Sequence, residues 1–112
     1  MRLQRRRARP EDACRYGLTY LATRAGRGDQ AAFGELVDAA ALVVLSTVVD
    51  SDIPDGDRDE VVVAGLCLMW RRAPRFDPSR ESVVSWVRDC ALEAAGEYRA
   101  GSLDHGRRWQ TI

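Results

Sequence analysis

Apolar residues recur at helical spacing in three stretches of the chain. Phe33, Leu36, Val37, Ala40, Val44 and Val48 form the first stripe, following the three- and four-residue steps of an amphipathic helix. Asp29 stands where an N-cap belongs, just after Gly28. The segment Asp50 to Gly56, with Pro54 and Gly56 as breakers, ends this helix. The second helix is predicted from Asp57, with Glu60 three positions on to complete a capping box. Its stripe is Val62, Leu66, Met69, Trp70 and Ala73, and Pro74 ends it. A loop turns on Asp77-Pro78-Ser79. The third helix starts near Ser82 and carries Val83, Trp86, Val87, Cys90, Ala91, Ala94 and Tyr98 inward, until Gly101 stops it.

Residues 12–26 give a weaker helix signal around Tyr16, Leu18, Tyr20 and Leu21. No strand-period segment competes, since the valines at 61–63 lie between a helix cap and a helical stripe. The expected fold is all-α: a small bundle of three main helices plus a weak N-terminal helix, with neighbours packed roughly antiparallel. Three parts are expected: a disordered basic arm over 1–11, a helical domain over 12–101 and a loosely ordered tail over 102–112. The 112 residues suit one small domain.

Charge adds a pattern that hydrophobicity does not show. The formal net charge is zero. Residues 1–28 hold eight Arg against two acids, 29–69 hold nine acids against Arg58 alone, and 70–112 hold eight Arg against six acids. A neutral total argues against a protein that coats nucleic acid by charge alone. The longest apolar run, Ala39 to Leu45, is about two helical turns, so no uninterrupted run spans a bilayer. No secretory signal follows the Arg-rich N-terminus. These features predict a cytoplasmic protein without membrane partners.

Candidate chemistry is sparse. Cys14, Cys67 and Cys90 are an odd number at wide spacing and suggest no disulfide framework. With His105 they lack the close ligand pair of a zinc motif, so no metal and no cofactor is expected. Catalysis would need a nucleophile–base pair, paired carboxylates or a metal site. The only histidine lies in the tail, and no Gly-rich phosphate loop is present. No catalytic residue is assigned.

Three short motifs in order carry the specific signal. They are Gly28-Asp29-Gln30-Ala31-Ala32-Phe33 with Leu36, Asp59-Glu60-Val61-Val62 with Met69-Trp70-Arg71-Arg72-Ala73, and Arg75-Phe76-Asp77-Pro78-Ser79-Arg80 with Ser82 and Trp86. Together they resemble region 2 of the sigma-70 family, extracytoplasmic-function (ECF) group, over about Thr23 to Arg99. Phe33, Leu36, Trp70 and Trp86 are read as the knots of one core. The resemblance implies transcription initiation, with the second helix docking on a coiled coil of the beta-prime subunit of core RNA polymerase. The corresponding surface is the exposed side of Asp57, Asp59, Glu60, Ala64, Cys67, Leu68 and Arg71. It also implies contact with −10 promoter DNA by Arg75, Phe76 and Arg80 in the loop and by Arg88 and Arg99 on the third helix. Aromatic rings stack bases and arginines neutralise phosphate.

The chain departs from the family pattern at several positions. Val63-Ala64 stand where the family usually has Gln-Glu, and Leu66 replaces an aromatic. Asp89, Glu93 and Glu97 bring acid to the third helix, and acid repels phosphate. The resemblance would also lead one to expect region 4, the second helical domain that reads the −35 element, and no counterpart of it is expected within these 112 residues. Two functions therefore stand side by side. One is a sigma-like initiation protein with region 4 on another chain. The other is a degenerate module acting by protein contact only, as an anti-sigma decoy or polymerase antagonist.

Overall fold

The computed structural model describes residues 17–101. The predicted arm, the tail, Cys14 and His105 lie outside them. Four α-helices account for most of the described chain: α1 (Leu18–Gly26), α2 (Gln30–Asp50), α3 (Arg58–Arg72) and α4 (Val83–Arg99). Single 3-10 turns at Asp55–Asp57 and Ala73–Arg75 bracket α3, and no strand occurs among the described residues. The expected all-α bundle is what forms.

Backbone geometry decides which predicted caps exist. Asp29 and Ser82 sit in extended conformation, and their side chains accept the amides of Ala32 at 3.0 Å and Ser85 at 3.1 Å. Both caps thereby satisfy an orphan helix donor. The predicted Asp57–Glu60 capping box does not form at the start of α3. Asp57 is the last residue of the 3-10 turn, with φ −109° and ψ −2°, already helical, whereas a capping side chain needs extended backbone to reach the helix amides. The Asp57 carboxylate instead accepts the hydroxyl of Tyr98 near the end of α4. Gly101, at φ +74°, closes α4 in the left-handed conformation that glycine adopts without strain.

α2 is the central post of the bundle, and α1, α3 and α4 all pack on it. Leu36, Ala40, Val44 and Val48 of the predicted stripe are buried, joined by Ala32 and Thr47. The Thr47 hydroxyl is satisfied by donating to the Val43 carbonyl at 2.6 Å. In length and composition α2 could cross a membrane. The expectation drawn from uninterrupted runs stands, and the helix could do so on average composition only, because over its 21 residues just Glu35, Asp38 and Asp50 are charged. Packing against three partners accounts for its buried apolar residues, Leu36, Ala40, Val44 and Val48, as in the core helix of a bundle.

α3 and α4 pack antiparallel. Asp57 at the start of α3 meets Tyr98 near the end of α4, and Gly65 faces the Ala91 backbone. Their seam is built from small residues: Ala64, Gly65, Ala91, Ala94 and Ala95 are all buried. This rotates α3 from the predicted phase. Val61, Ala64, Gly65, Leu68 and Met69 are buried, while Val62, Leu66 and Trp70 are only half-buried. Helical period alone showed one apolar stripe, but a helix wedged between two neighbours buries a wider arc.

The four expected knots separate into a core pair and a surface pair. Leu36 and Trp86 are buried. Phe33 and Trp70 are half-buried and stack on each other, with ring centroids 5.0 Å apart at 60°. A second ring pair, Phe76 on Trp86 at 5.2 Å and 52°, pins the loop before α4 to the core. Both have the tilted geometry that aromatic quadrupoles favour.

Candidate functional site

The outer face of α3 runs in four-residue steps through Asp59, Val63, Cys67 and Arg71. Asp59, Val63 and Arg71 are exposed and Cys67 is half-buried. Glu60 flanks the stripe, also half-buried. Two residues expected on this face are not there. Ala64 is 1% exposed and Leu68 is 6% exposed, both turned into the core by the close approach of α4. Asp57 lies at the edge of the face, with its carboxylate engaged by Tyr98. That contact raises the Tyr98 phenol above its ordinary range. Val63, 41% exposed, occupies the place expected for Ala64. Its signal was present in the sequence as a polar-to-apolar change beside a helix of uncertain phase.

The loop between α3 and α4 is tightly organised. The Asp77 carboxylate accepts the Ser79 amide at 2.9 Å and the Ser79 hydroxyl at 2.7 Å. These bonds hold the Asp77 carboxyl below the usual aspartate range. The turn brings Arg75 and Arg80 to one open cleft that Asp77 and Glu81 also line. Both arginines are exposed, and neither guanidinium makes an ion pair or hydrogen bond among the described residues, while the Arg80 backbone amide donates to the Asp77 carbonyl at 3.0 Å. Phe76, half-buried on Trp86, is a partly open ring at the end of the bundle.

α4 spreads its predicted DNA-facing arginines rather than gathering them. Arg88 is exposed one to two turns into the helix. Arg99 lies about 16 Å further along the axis and donates to the Ser51 carbonyl at the end of α2, at 3.0 Å. The structure thus joins Arg75, Phe76 and Arg80 in one place and leaves Arg99 at the other end of the bundle. The acids of α4 also divide. Glu93 is held by Arg72 at 2.6 Å, which keeps its carboxyl below the ordinary range. Asp89 is exposed and lines a second cleft with Arg72, Arg75, Glu81, Trp86 and Cys90. Burial pushes the Cys90 thiol up to about 11, so it acts as a small apolar filler rather than a nucleophile.

Comparison with known proteins gives one informative likeness. The chain is similar to the RNA polymerase sigma factor CnrH of Cupriavidus metallidurans, 37% identical over 71 residues, which are 63% of this chain and 35% of that protein. The chain therefore matches about a third of the length of that relative. No family model matches the chain, and no solved structure does either.

Proposed function

We propose that this chain is a sigma-like transcription-initiation protein, equivalent to region 2 of an ECF factor, that binds core RNA polymerase and −10 promoter DNA. The likeness to a sigma factor carries the reading. Support comes from the α3 face, where the apolar Val63 and Cys67 lie among Asp59, Glu60 and Arg71. An apolar centre with a charged rim is how helix-to-helix interfaces are built. That face would meet the beta-prime subunit, with Asp57 at its edge and Ala64 and Leu68 supporting it from below. At the loop, Arg75 and Arg80 are exposed at one cleft, with no ion pair at either guanidinium among the described residues, and Phe76 between them in the chain is a partly open ring. This suits a single strand held by stacking and phosphate contact. Arg88 would extend the track along α4. Arg99 would join it only by leaving the Ser51 carbonyl. The role is one of binding, without catalysis, in the cytoplasm.

One observation favours a second reading. Asp77 and Glu81 line the same cleft as Arg75 and Arg80, so the loop offers phosphate two cations and two anions together. A protein that keeps the polymerase face but holds DNA poorly would act by protein contact only, as an anti-sigma decoy or polymerase antagonist.

Two assays on one preparation separate these. The first is co-elution with core RNA polymerase on size exclusion, using the parent chain and Val63→Glu. The second is fluorescence anisotropy with a −10 non-template oligonucleotide at low and high salt, using the parent and Arg75→Ala/Arg80→Ala. Initiation requires co-elution that Val63→Glu abolishes, together with salt-sensitive DNA binding that the double arginine variant loses. Co-elution without DNA binding establishes the antagonist. Failure in both removes the initiation reading.

A further inference from the structure

A second surface lies on α2. Positions 35, 38, 42, 45, 49 and 52 follow at alternating three- and four-residue steps, the spacing by which one helix seats against another. They read Glu35, Asp38, Leu42, Leu45, Val49 and Asp52, and all six are exposed. Five lie on α2, and Asp52 lies just past its cap. Leu42 is 78% exposed, Leu45 44% and Val49 39%. The packing of α1, α3 and α4 uses the other side of α2, through Leu36, Ala40, Val44 and Val48. The bundle therefore covers little of Leu42 and leaves Leu45 and Val49 partly open.

The charges around the stripe identify what would cover it. Glu35 and Asp38 stand at one end and Asp52 at the other, with Asp50 alongside. None of these four carboxylates has an ion pair or hydrogen-bond partner among the described residues. The other acids of the segment are engaged: Asp29 by Arg24, Asp55 by Arg58 and Asp57 by Tyr98. No basic residue occurs between Arg27 and Arg58.

We propose that this face docks an amphipathic helix of a partner protein, carrying apolar side chains at three- and four-residue spacing with arginine or lysine at both ends. A second copy is disfavoured. Antiparallel pairing sets Glu35 and Asp38 against Asp52, and parallel pairing sets each acid against itself, where like charges oppose association. An anionic membrane surface is repelled for the same reason. The surface belongs to a different helix from the polymerase-facing stripe, so it stands or falls independently of the initiation reading.

The probe is a labelled synthetic helix with leucines at this spacing and arginines at both ends. A twin with glutamates at the ends is the control. Both are titrated with the full chain and followed by fluorescence anisotropy. The arginine probe binds and the glutamate twin does not. Leu42→Ser/Leu45→Ser weakens binding by about tenfold or more, as expected for truncating the centre of an interface. Glu35→Gln/Asp38→Asn weakens it several-fold at low salt, and the difference closes as salt screens the ends. Leu92→Ser on α4, where the side chain is equally open at 45%, leaves it unchanged. All these positions are exposed, so helical circular dichroism is retained in each variant. Equal binding of both probes, or indifference to the Leu42/Leu45 change, overturns the proposal. A dimer in sedimentation equilibrium that Leu42→Ser/Leu45→Ser abolishes overturns it in favour of a second copy. Binding to phosphatidylglycerol vesicles that the same variant loses overturns it in favour of a membrane.

Discussion

Three helical glycines of this bundle should respond oppositely to the same substitution. Gly34 lies in α2 and Gly96 in α4, and a Cβ added at either meets nothing within 4 Å. Alanine there restricts the unfolded chain and favours the helix, stabilising by about 0.5–1 kcal/mol. Gly26 ends α1 against the 3-10 turn that leads into the arginine loop. A Cβ there falls 2.6 Å from the Ala73 carbonyl oxygen and 3.1 Å from its carbon. Both are backbone atoms, so no side chain can swing aside, and α1 must move off the turn. Overpacking of this kind costs about 1–3 kcal/mol. At a helix end the propensity gain of alanine offsets only part of it, leaving about 1–2 kcal/mol of net destabilisation. For a domain of this size each kcal/mol moves the melting temperature by about 4–8 °C. Thermal unfolding by far-UV circular dichroism should show Gly34→Ala and Gly96→Ala melting a few degrees above the parent and Gly26→Ala well below it. A Gly26→Ala melting temperature at or above the parent would refute the close approach of α1 to the 73–75 turn.

Other expectations follow from the same packing. Gly65→Ala should be neutral or stabilising, since its Cβ meets Ala91 at an ordinary 3.5 Å. Gly65→Leu should unfold the domain at lower urea by prising α3 from α4. Leu36→Ala, at a fully buried position, should cost about 2–5 kcal/mol through the cavity it leaves, read from the urea midpoint. Cys67 should alkylate before Cys90 near neutral pH, because Cys90 is buried and its thiol is raised to about 11; peptide mass spectrometry after brief iodoacetamide exposure gives the order. The Ala32 amide, and then the Arg24 guanidinium, lower the Asp29 carboxyl. A lowered folded value means stability that is complete above the ordinary aspartate range and is lost as pH falls through the folded value. Asp29→Asn keeps a capping oxygen and should flatten that part of the acid unfolding curve.

The sequence stripe on α2 and the one on α4 were legible because each of those helices keeps most of its buried side chains on one arc. Leu36, Ala40, Val44 and Val48 on one, and Val83, Trp86, Val87, Cys90, Ala91 and Ala94 on the other, are buried where periodicity placed them. α3 was misphased because Ala64 and Gly65 are too small to register as core in a hydrophobic pattern. Their smallness is what lets α4 come close and buries Leu68 with them. The error passed directly to the site, since the docking face is whatever α3 does not bury. The loop was legible in another way: Asp77-Pro78-Ser79 announced a turn, and Asp77 and Ser79 make its hydrogen bonds. The stacking of Phe76 on Trp86 joins residues ten apart, with no periodic signal to announce it.

The acids of α4 are better understood by partner than by count. Read as charges, Asp89, Glu93 and Glu97 all oppose phosphate. In the structure Glu93 is matched by Arg72, so its charge is largely offset locally, at the expense of an arginine that would otherwise face solvent from the end of α3. Removing Glu93 would therefore do two things for DNA at once, deleting an anion and releasing a cation beside Arg75 in the same cleft. Removing Asp89, which has no partner among the described residues, deletes only the anion. If the loop holds a phosphate backbone, Glu93→Gln should strengthen oligonucleotide binding more than Asp89→Asn at low salt, with the two converging as salt rises. If Asp89→Asn has the larger effect, the Arg72–Glu93 pair lies away from the strand, and the DNA path leaves the loop along Arg88 instead.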